Sequence, residues 1–125
     1  MSETQHRLPA NVYDTTCASR RVLDVTMNKW SLLLLLLLAT GTMRYNELRR
    51  ELSGVSHKML TQTLRALEAE KIITRTVHPV VPPHVDYALT PIGERLVVSM
   101  RDLVSIIEAH VDTLAQDVPL LDNQR

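Results

Sequence analysis

The sequence predicts a mainly α-helical single domain that carries one small β-hairpin. Three observations predict it. Apolar residues recur at three- and four-residue spacing along most of the chain, as they do on helices with one buried face. That period breaks once, between Ile72 and Leu89, where β-branched and alternating residues flank a proline-rich link. The length, 125 residues, fits one domain, and no linker, repeat or low-complexity stretch divides it.

Residues 1–13 show no apolar period and read as flexible. An amphipathic helix is expected over Ala18–Met27, with Val22, Leu23, Val25 and Thr26 near helical spacing. The segment Trp30–Ala39 follows and contains seven consecutive leucines, Leu32 to Leu38. A membrane span needs about 20 apolar residues. This run is half that length, stops at Thr40-Gly41 and follows Asn28-Lys29, so it is expected as a helix buried on nearly all sides. No membrane contact is expected. The N-terminal residues lack the apolar stretch of a signal peptide. A single cysteine, Cys17, rules out an intramolecular disulfide and points to a reducing compartment, the cytoplasm.

The segment Arg44–Leu52 places Leu48 and Leu52 four residues apart among charges, which predicts a short surface helix with one apolar edge. Ser53-Gly54-Val55-Ser56 reads as a tight turn, with Ser56 as N-cap of the next helix. That helix, His57–Lys71, has two faces. Leu60, Leu64 and Leu67 fall within an arc of about 60°, and Lys58, Thr61, Gln62 and Arg65 within about 100° on the other side. The polar face holds two cations, an amide and a hydroxyl; Glu68 and Glu70 come only at the far end. Ile72–Val77 and Val85–Leu89 are the two strands of the hairpin, and the link His78–His84 is its projecting tip. Thr90-Pro91 opens a last helix running to about Ala115. Its stripe comprises Leu96, Met100, Leu103, Ile107, Val111 and Leu114, widened by Val97 and Val104.

Residues 45–71 thus form a helix-turn-helix, residues 72–90 a wing and residues 91–115 a terminal helix. In such motifs the second helix lies in the major groove of double-stranded DNA and reads base edges. The polar face has the chemistry for this. Lys58 and Arg65 suit guanine or phosphate, Gln62 suits adenine, and Thr61 suits phosphate or a thymine methyl. Arg44, Ser56 and His57 stand at the entrances of the two helices, and Arg75 and His84 on the wing. All are candidate DNA contacts.

Charge distribution agrees. The formal net charge is zero, with 14 Lys+Arg against 14 Asp+Glu. Residues 1–43 carry +1. Residues 44–75 hold seven cations and four anions, hence +3, and residues 76–125 hold three cations and seven anions, hence −4. The basic excess sits on the motif that would meet phosphate. An ordinary solvated face is the competing reading of these cations. The long apolar stripe of the last helix suits a twofold dimer, which places two reading helices about 34–36 Å apart on one face of DNA. Folding back onto its own core is the alternative use of that stripe.

The ordered set Cys17, Lys29-Trp30, Arg44-Tyr45-Asn46-Glu47-Leu48-Arg49, Gly54-Val55-Ser56, Lys58-Met59-Leu60-Thr61, Leu64, Leu67-Glu68, Val81-Pro82-Pro83 and Val85-Asp86-Tyr87-Ala88-Leu89-Thr90 with Gly93 resembles the HxlR-type winged helix-turn-helix regulators. The resemblance covers the chain from Cys17 to the last helix. It implies a transcription factor of the MarR-like class, a homodimer built by its N- and C-terminal helices, with the second helix of the motif reading DNA. It also implies a role for Cys17 in sensing oxidants, quinones or aldehydes, as in some members. The chain departs from the family pattern at Ala18, at Met27-Asn28 and at His57, which stands where proline is common.

Arg20 and Arg21 lie one turn beyond Cys17, and cations favour the reactive thiolate. Oxidation of a single cysteine gives a bond between subunits, a mixed disulfide or a sulfenic acid. The bland alternative is a small apolar residue at a dimer seam. For the remaining chemistry, His78 and His84 flank the hairpin tip but lack a third metal ligand, so no metal site is expected. No phosphate loop, nucleophile elbow or paired carboxylates occur, and neither an enzyme nor a cofactor is expected. The expected function is a DNA-binding regulator, more in keeping with a repressor at a near-palindromic operator, released by an oxidant or small-molecule inducer. Two alternatives stay open: a metabolite-responsive regulator with inert Cys17, and a winged-helix module that binds protein and never DNA.

Overall fold

The computed structural model describes residues 11–117. Among these residues are five helices: α1 (Ala18–Thr26), α2 (Lys29–Leu38), α3 (Tyr45–Glu51), α4 (His57–Ala69) and α5 (Pro91–Asp117). The strands β1 (Met43–Arg44), β2 (Ile73–His78) and β3 (His84–Leu89) form one antiparallel sheet in the order β1-β3-β2. The segment expected to be flexible falls mostly outside the described residues. Where it enters them, Asp14 N–H donates to the Asn11 carbonyl at 3.1 Å and closes a turn.

Helix α2 occupies the centre because leucine at every position from Leu32 on lets it bury apolar surface against neighbours on several sides. It packs against α1, α3, α4, α5 and β3. Leu34 and Leu35 are fully buried and Leu38 nearly so. The expectation of near-complete burial needs one correction. Leu33 is exposed, beside a shallow apolar groove lined by Trp30, Leu36, Leu37 and Leu52. Asn28 starts the helix: its side-chain oxygen accepts from Ser31 N–H at 3.0 Å, satisfying one of the donors left open by the first turn. The Ser31 hydroxyl then donates to the Val25 carbonyl at 2.6 Å and ties α2 to α1.

The helix-turn-helix follows its expected course. Leu48 and Leu52 anchor α3 in the core. Gly54, at φ +90°, makes the turn that a side chain would strain. Val55 tucks inward, and the Ser56 hydroxyl accepts from Met59 N–H at 3.0 Å to cap α4. Leu60, Thr63, Leu64 and Leu67 face the core, as the two-faced pattern requires.

Helix α4 ends in a Schellman turn. Ile72 N–H donates to Leu67 O at 3.0 Å and Lys71 N–H to Glu68 O at 2.9 Å, with Lys71 in the left-handed region at φ +61°. The Ile72 carbonyl accepts from Thr90 N–H at 3.1 Å. The Thr90 hydroxyl lies 2.7 Å from Lys71 O and 2.9 Å from Ile72 O, and accepts from Gly93 N–H at 3.3 Å. The start of α5 is thereby held against the end of α4. A Cβ on Gly93 would come within 2.4 Å of Ile72 O, so only glycine permits this approach.

Two further features depart from the sequence expectation. The hairpin has a third strand, β1, with Met43 opposite Tyr87 and Arg44 opposite Asp86. Two residues are too few to display an alternating pattern, and Arg44 reads from sequence as part of the following helix. The stripe of α5 is also not one surface. Val97 and Met100 are buried in the domain's own core and Leu96 is half-buried. Beyond Met100 no described residue of α5 is buried, and Leu103, Ile106, Ile107, Val111 and Leu114 are exposed. Folding back onto the core therefore accounts for the first half of the helix, and the second half presents its apolar row to solvent.

Two substitutions test this packing. Gly93→Ala is expected to destabilise the fold by about 1–3 kcal/mol, because backbone atoms must move to admit the methyl group. Lys71→Gly is expected to stabilise it by up to about 1 kcal/mol, since left-handed strain of about 1–2 kcal/mol exceeds the extra entropy glycine loses. Urea denaturation curves of the three proteins measure both, and a reversed order would contradict the close approach and the turn.

Candidate nucleic-acid interface

Lys58, Gln62 and Arg65 are exposed along the face of α4 opposite its leucines. Thr61 differs from them. It is half-buried at the edge toward the wing, where it lines a cleft of ≈ 350 Å³ with Tyr45, Leu64, Arg65, Glu68, Arg75 and Tyr87. Arg75, exposed on β2, faces α4 across this cleft. The two tyrosines are functional candidates that sequence reading missed, since each looked like ordinary apolar filling of a helix or strand. Glu68 also turns toward the cleft, while Glu70 is withdrawn to the other side of α4. There Arg21 Nε and Nη2 donate to its two carboxylate oxygens at 2.7 Å and 3.2 Å. The charge of Glu70 is thus neutralised away from the basic face.

The residues at the helix entrances are held by the fold itself. Arg44 N–H donates to Glu47 Oε1 at 2.8 Å, which caps α3. The Arg44 guanidinium is more than half exposed, with Nε 3.7 Å from Asp86 Oδ1. An ion pair this exposed holds its arginine weakly. Ser56 presents its hydroxyl at the N-terminus of α4, a position that favours anions. His57 Nδ1 bonds the Tyr45 hydroxyl, with the rings edge to face and centroids 5.4 Å apart. This contact links the first residue of α3 to the first of α4.

His84 sits differently. Its ring stacks on His78, centroids 4.6 Å apart, and both lie beside Asp86. The third donor that the histidine pair lacked in the linear sequence is Asp86, on the same strand as His84.

Cys17 is the N-cap residue of α1 and half-buried. Its thiol is held below the ordinary cysteine range, first by a hydrogen bond from the Asn11 backbone and next by the backbone and hydroxyl of Ser19. The cations expected to do this are engaged elsewhere: Arg20 Nε lies 3.0 Å from Asp24 Oδ1, and Arg21 pairs with Glu70. The direction expected from sequence holds, and its cause is changed.

A recognition helix with an exposed polar face, a preceding helix set across a glycine turn, and an antiparallel wing define a winged helix-turn-helix protein. The chain belongs to the HxlR-like helix-turn-helix family, whose model matches residues 25–115. It is 41% identical over 111 residues to the uncharacterized HTH-type transcriptional regulator YtfH of Escherichia coli K12, covering 89% of this chain and 88% of that protein. The solved structure of ytfH from Salmonella typhimurium is similar at a TM-score of 0.74 and 40% identity, over 94% of this chain and 100% of that one. The redox regulator HypR, solved in its oxidized form, is similar at a TM-score of 0.68 and 36% identity, over 74% of this chain and 96% of that one. The protein is a transcriptional regulator with a helix-turn-helix DNA-binding fold. No helix among the described residues is long and apolar enough to cross a membrane.

The environment of Cys17 has a direct test. Its alkylation by iodoacetamide, followed against pH, is expected to reach half-maximum below the ordinary thiol range, and Ser19→Ala to move the midpoint upward. A wild-type profile matching that of a free thiol would remove the hydrogen-bond account.

Proposed function

We propose that this chain acts as a homodimeric repressor that binds near-palindromic double-stranded DNA and is released when an oxidant or electrophile modifies Cys17. The observation that carries the reading is the exposed row Lys58, Gln62 and Arg65 on α4, with Arg75 facing it from the wing. Lys58 and Arg65 supply donors for guanine or phosphate, and Gln62 the paired donor and acceptor that adenine presents a match for. Thr61, Ser56, His57 and Arg44 border this row and serve the backbone. Arg75 reaches the flanking phosphates or minor groove.

The exposed half of α5 supports the dimer. Residues 101–117 extend about 25 Å as helix and expose an apolar row that water disfavours. The row continues toward α1, where Val12, Val22, Leu23 and Leu96 line a shallow apolar hollow. Pairing two chains along these surfaces is consistent with reading helices one DNA turn apart. A chain built of a reading motif and a dimer helix fits a regulator that acts by occupying its site.

Cys17 lies at the start of α1, beside Ala18 and Ser19 of that hollow, with a thiol pKa lowered by neighbouring hydrogen bonds. The resemblance to the redox regulator HypR favours the same use here. Diamide accepts two electrons and two protons as two thiols, one from each subunit, join in a disulfide. A change at the head of α1 would shift the dimer seam and with it the spacing of the reading helices.

The experiment begins with enrichment of bound duplexes from a random pool. The expected product holds inverted half-sites with centres about 10–10.5 base pairs apart, or a multiple of that. On the enriched duplex, Arg65→Ala and Gln62→Ala are each expected to weaken binding by about 1–3 kcal/mol in a gel shift. Wild-type affinity of both variants would remove the assigned reading face. Affinity should fall steeply with salt, and absence of retention even at low salt would favour a protein-binding module. Diamide is expected to release wild-type protein and leave Cys17→Ser bound. An equal response of the two proteins would make Cys17 inert and favour a metabolite-responsive regulator.

A further inference from the structure

We propose that His78, His84 and Asp86 form a site on the wing for a divalent transition-metal ion of borderline softness, such as zinc. The argument starts from strand register. His78 and His84 are directly opposed as the last cross-strand pair before the turn. Asp86 is two residues from His84 on β3, so the pleat turns both side chains to one face of the sheet, and the cross-strand partner His78 shares it. All three are half-buried, and one donor atom from each lies within 4.8 Å of the others.

The donors already converge. His78 Nε2 lies 2.8 Å from Asp86 Oδ2, and the imidazoles stack at 4.6 Å with 25° between planes. Metal–ligand bonds of about 2.0–2.2 Å in a tetrahedral site place donors roughly 3.3–3.6 Å apart. To bind an ion, the 2.8 Å contact would open slightly and the rings would rotate out of their stack, both movements of side chains and not of the paired strands. Two imidazole nitrogens and one carboxylate oxygen are the donor set of a zinc site that keeps its fourth position for water or another ligand.

Arg44 is the charged neighbour that faces this trio from β1. Its Nε approaches Asp86 Oδ1, whereas His78 uses Oδ2. The guanidinium can therefore keep orienting the carboxylate from behind while the other oxygen binds the ion, the usual part of an outer-sphere partner. This site assigns His84 to metal rather than to DNA. It stands apart from the reading helix, so its failure would leave the DNA reading untouched.

The test uses the full chain, stripped with a chelator and titrated with zinc alone by calorimetry at neutral pH. One ion per chain is expected. His78→Ala, His84→Ala and Asp86→Asn are each expected to weaken binding at least tenfold, while Cys17→Ser leaves it unchanged. Circular dichroism confirms that each variant is folded. A readout on the unaltered protein avoids dependence on variants: in 1H–15N spectra, the ring nitrogens of His78 and His84 should shift on adding one equivalent of zinc. Cobalt should give the visible absorption of a four-coordinate site. Absence of binding, binding that survives all three substitutions, or ring shifts confined to other histidines would each overturn the proposal.

Discussion

The carbonyl of Ile72 and the turn around it hold α4, the wing and α5 in register with one another. The Schellman turn directs the chain from α4 into β2 within a few residues. Thr90 then returns from β3 to bond the same segment, and Gly93 allows α5 to begin almost in contact with it. Because backbone hydrogen bonds and a close backbone approach set this junction, it has little freedom to flex. The angle between the polar face of α4 and Arg75 on the wing follows from it. So does the direction in which α5 leaves the domain, and with it the position of its exposed apolar row.

The electrostatics of the interface depend on where the acids are placed more than on how many there are. Glu70 follows Arg65 by little more than one helical turn, yet it is turned away and paired with Arg21. Asp86 belongs by sequence to the acidic C-terminal part, but in the fold it lies on the wing, between Arg44 and His78. Glu68 stays in the cleft near the cations. The exposed row of α4 is therefore basic although the chain as a whole is neutral. A neutral chain gains little nonspecific attraction to phosphate, so on the proposed reading selectivity falls to base contacts.

Asn28 and His57, at two of the three places where the chain departs from the pattern it resembles, are absorbed locally. Asn28 caps the leucine helix, and His57 bonds Tyr45 across the glycine turn. Each makes its contact at the start of a helix, where the architecture accommodates it. Cys17 illustrates a different lesson. Its thiol is shifted in the direction that nearby arginines suggested, but the donors are Asn11 and Ser19, because both arginines reach carboxylates first. Sequence proximity identified a charged neighbourhood and could not say which pairs would form.

The sequence by itself determined the order of the helices and the hairpin, the glycine turn, the cap at Ser56, the helix start at Thr90-Pro91 and the polar face of α4. These rest on periodicity and on side chains acting within three or four residues, which a linear chain displays directly. Tertiary structure alone decided the rest. It recruited Met43 and Arg44 as a third strand, since so short a strand exists only through its partners Tyr87 and Asp86, far along the chain. It divided the stripe of α5 into a buried half and an exposed half, because burial depends on where neighbouring helices stop. It joined Asp86 to two histidines and moved Thr61 to the edge of the cleft, since both are consequences of strand register and helix–wing angle. Local rules name the parts; distances between parts far apart in the chain are set only once the core closes around α2.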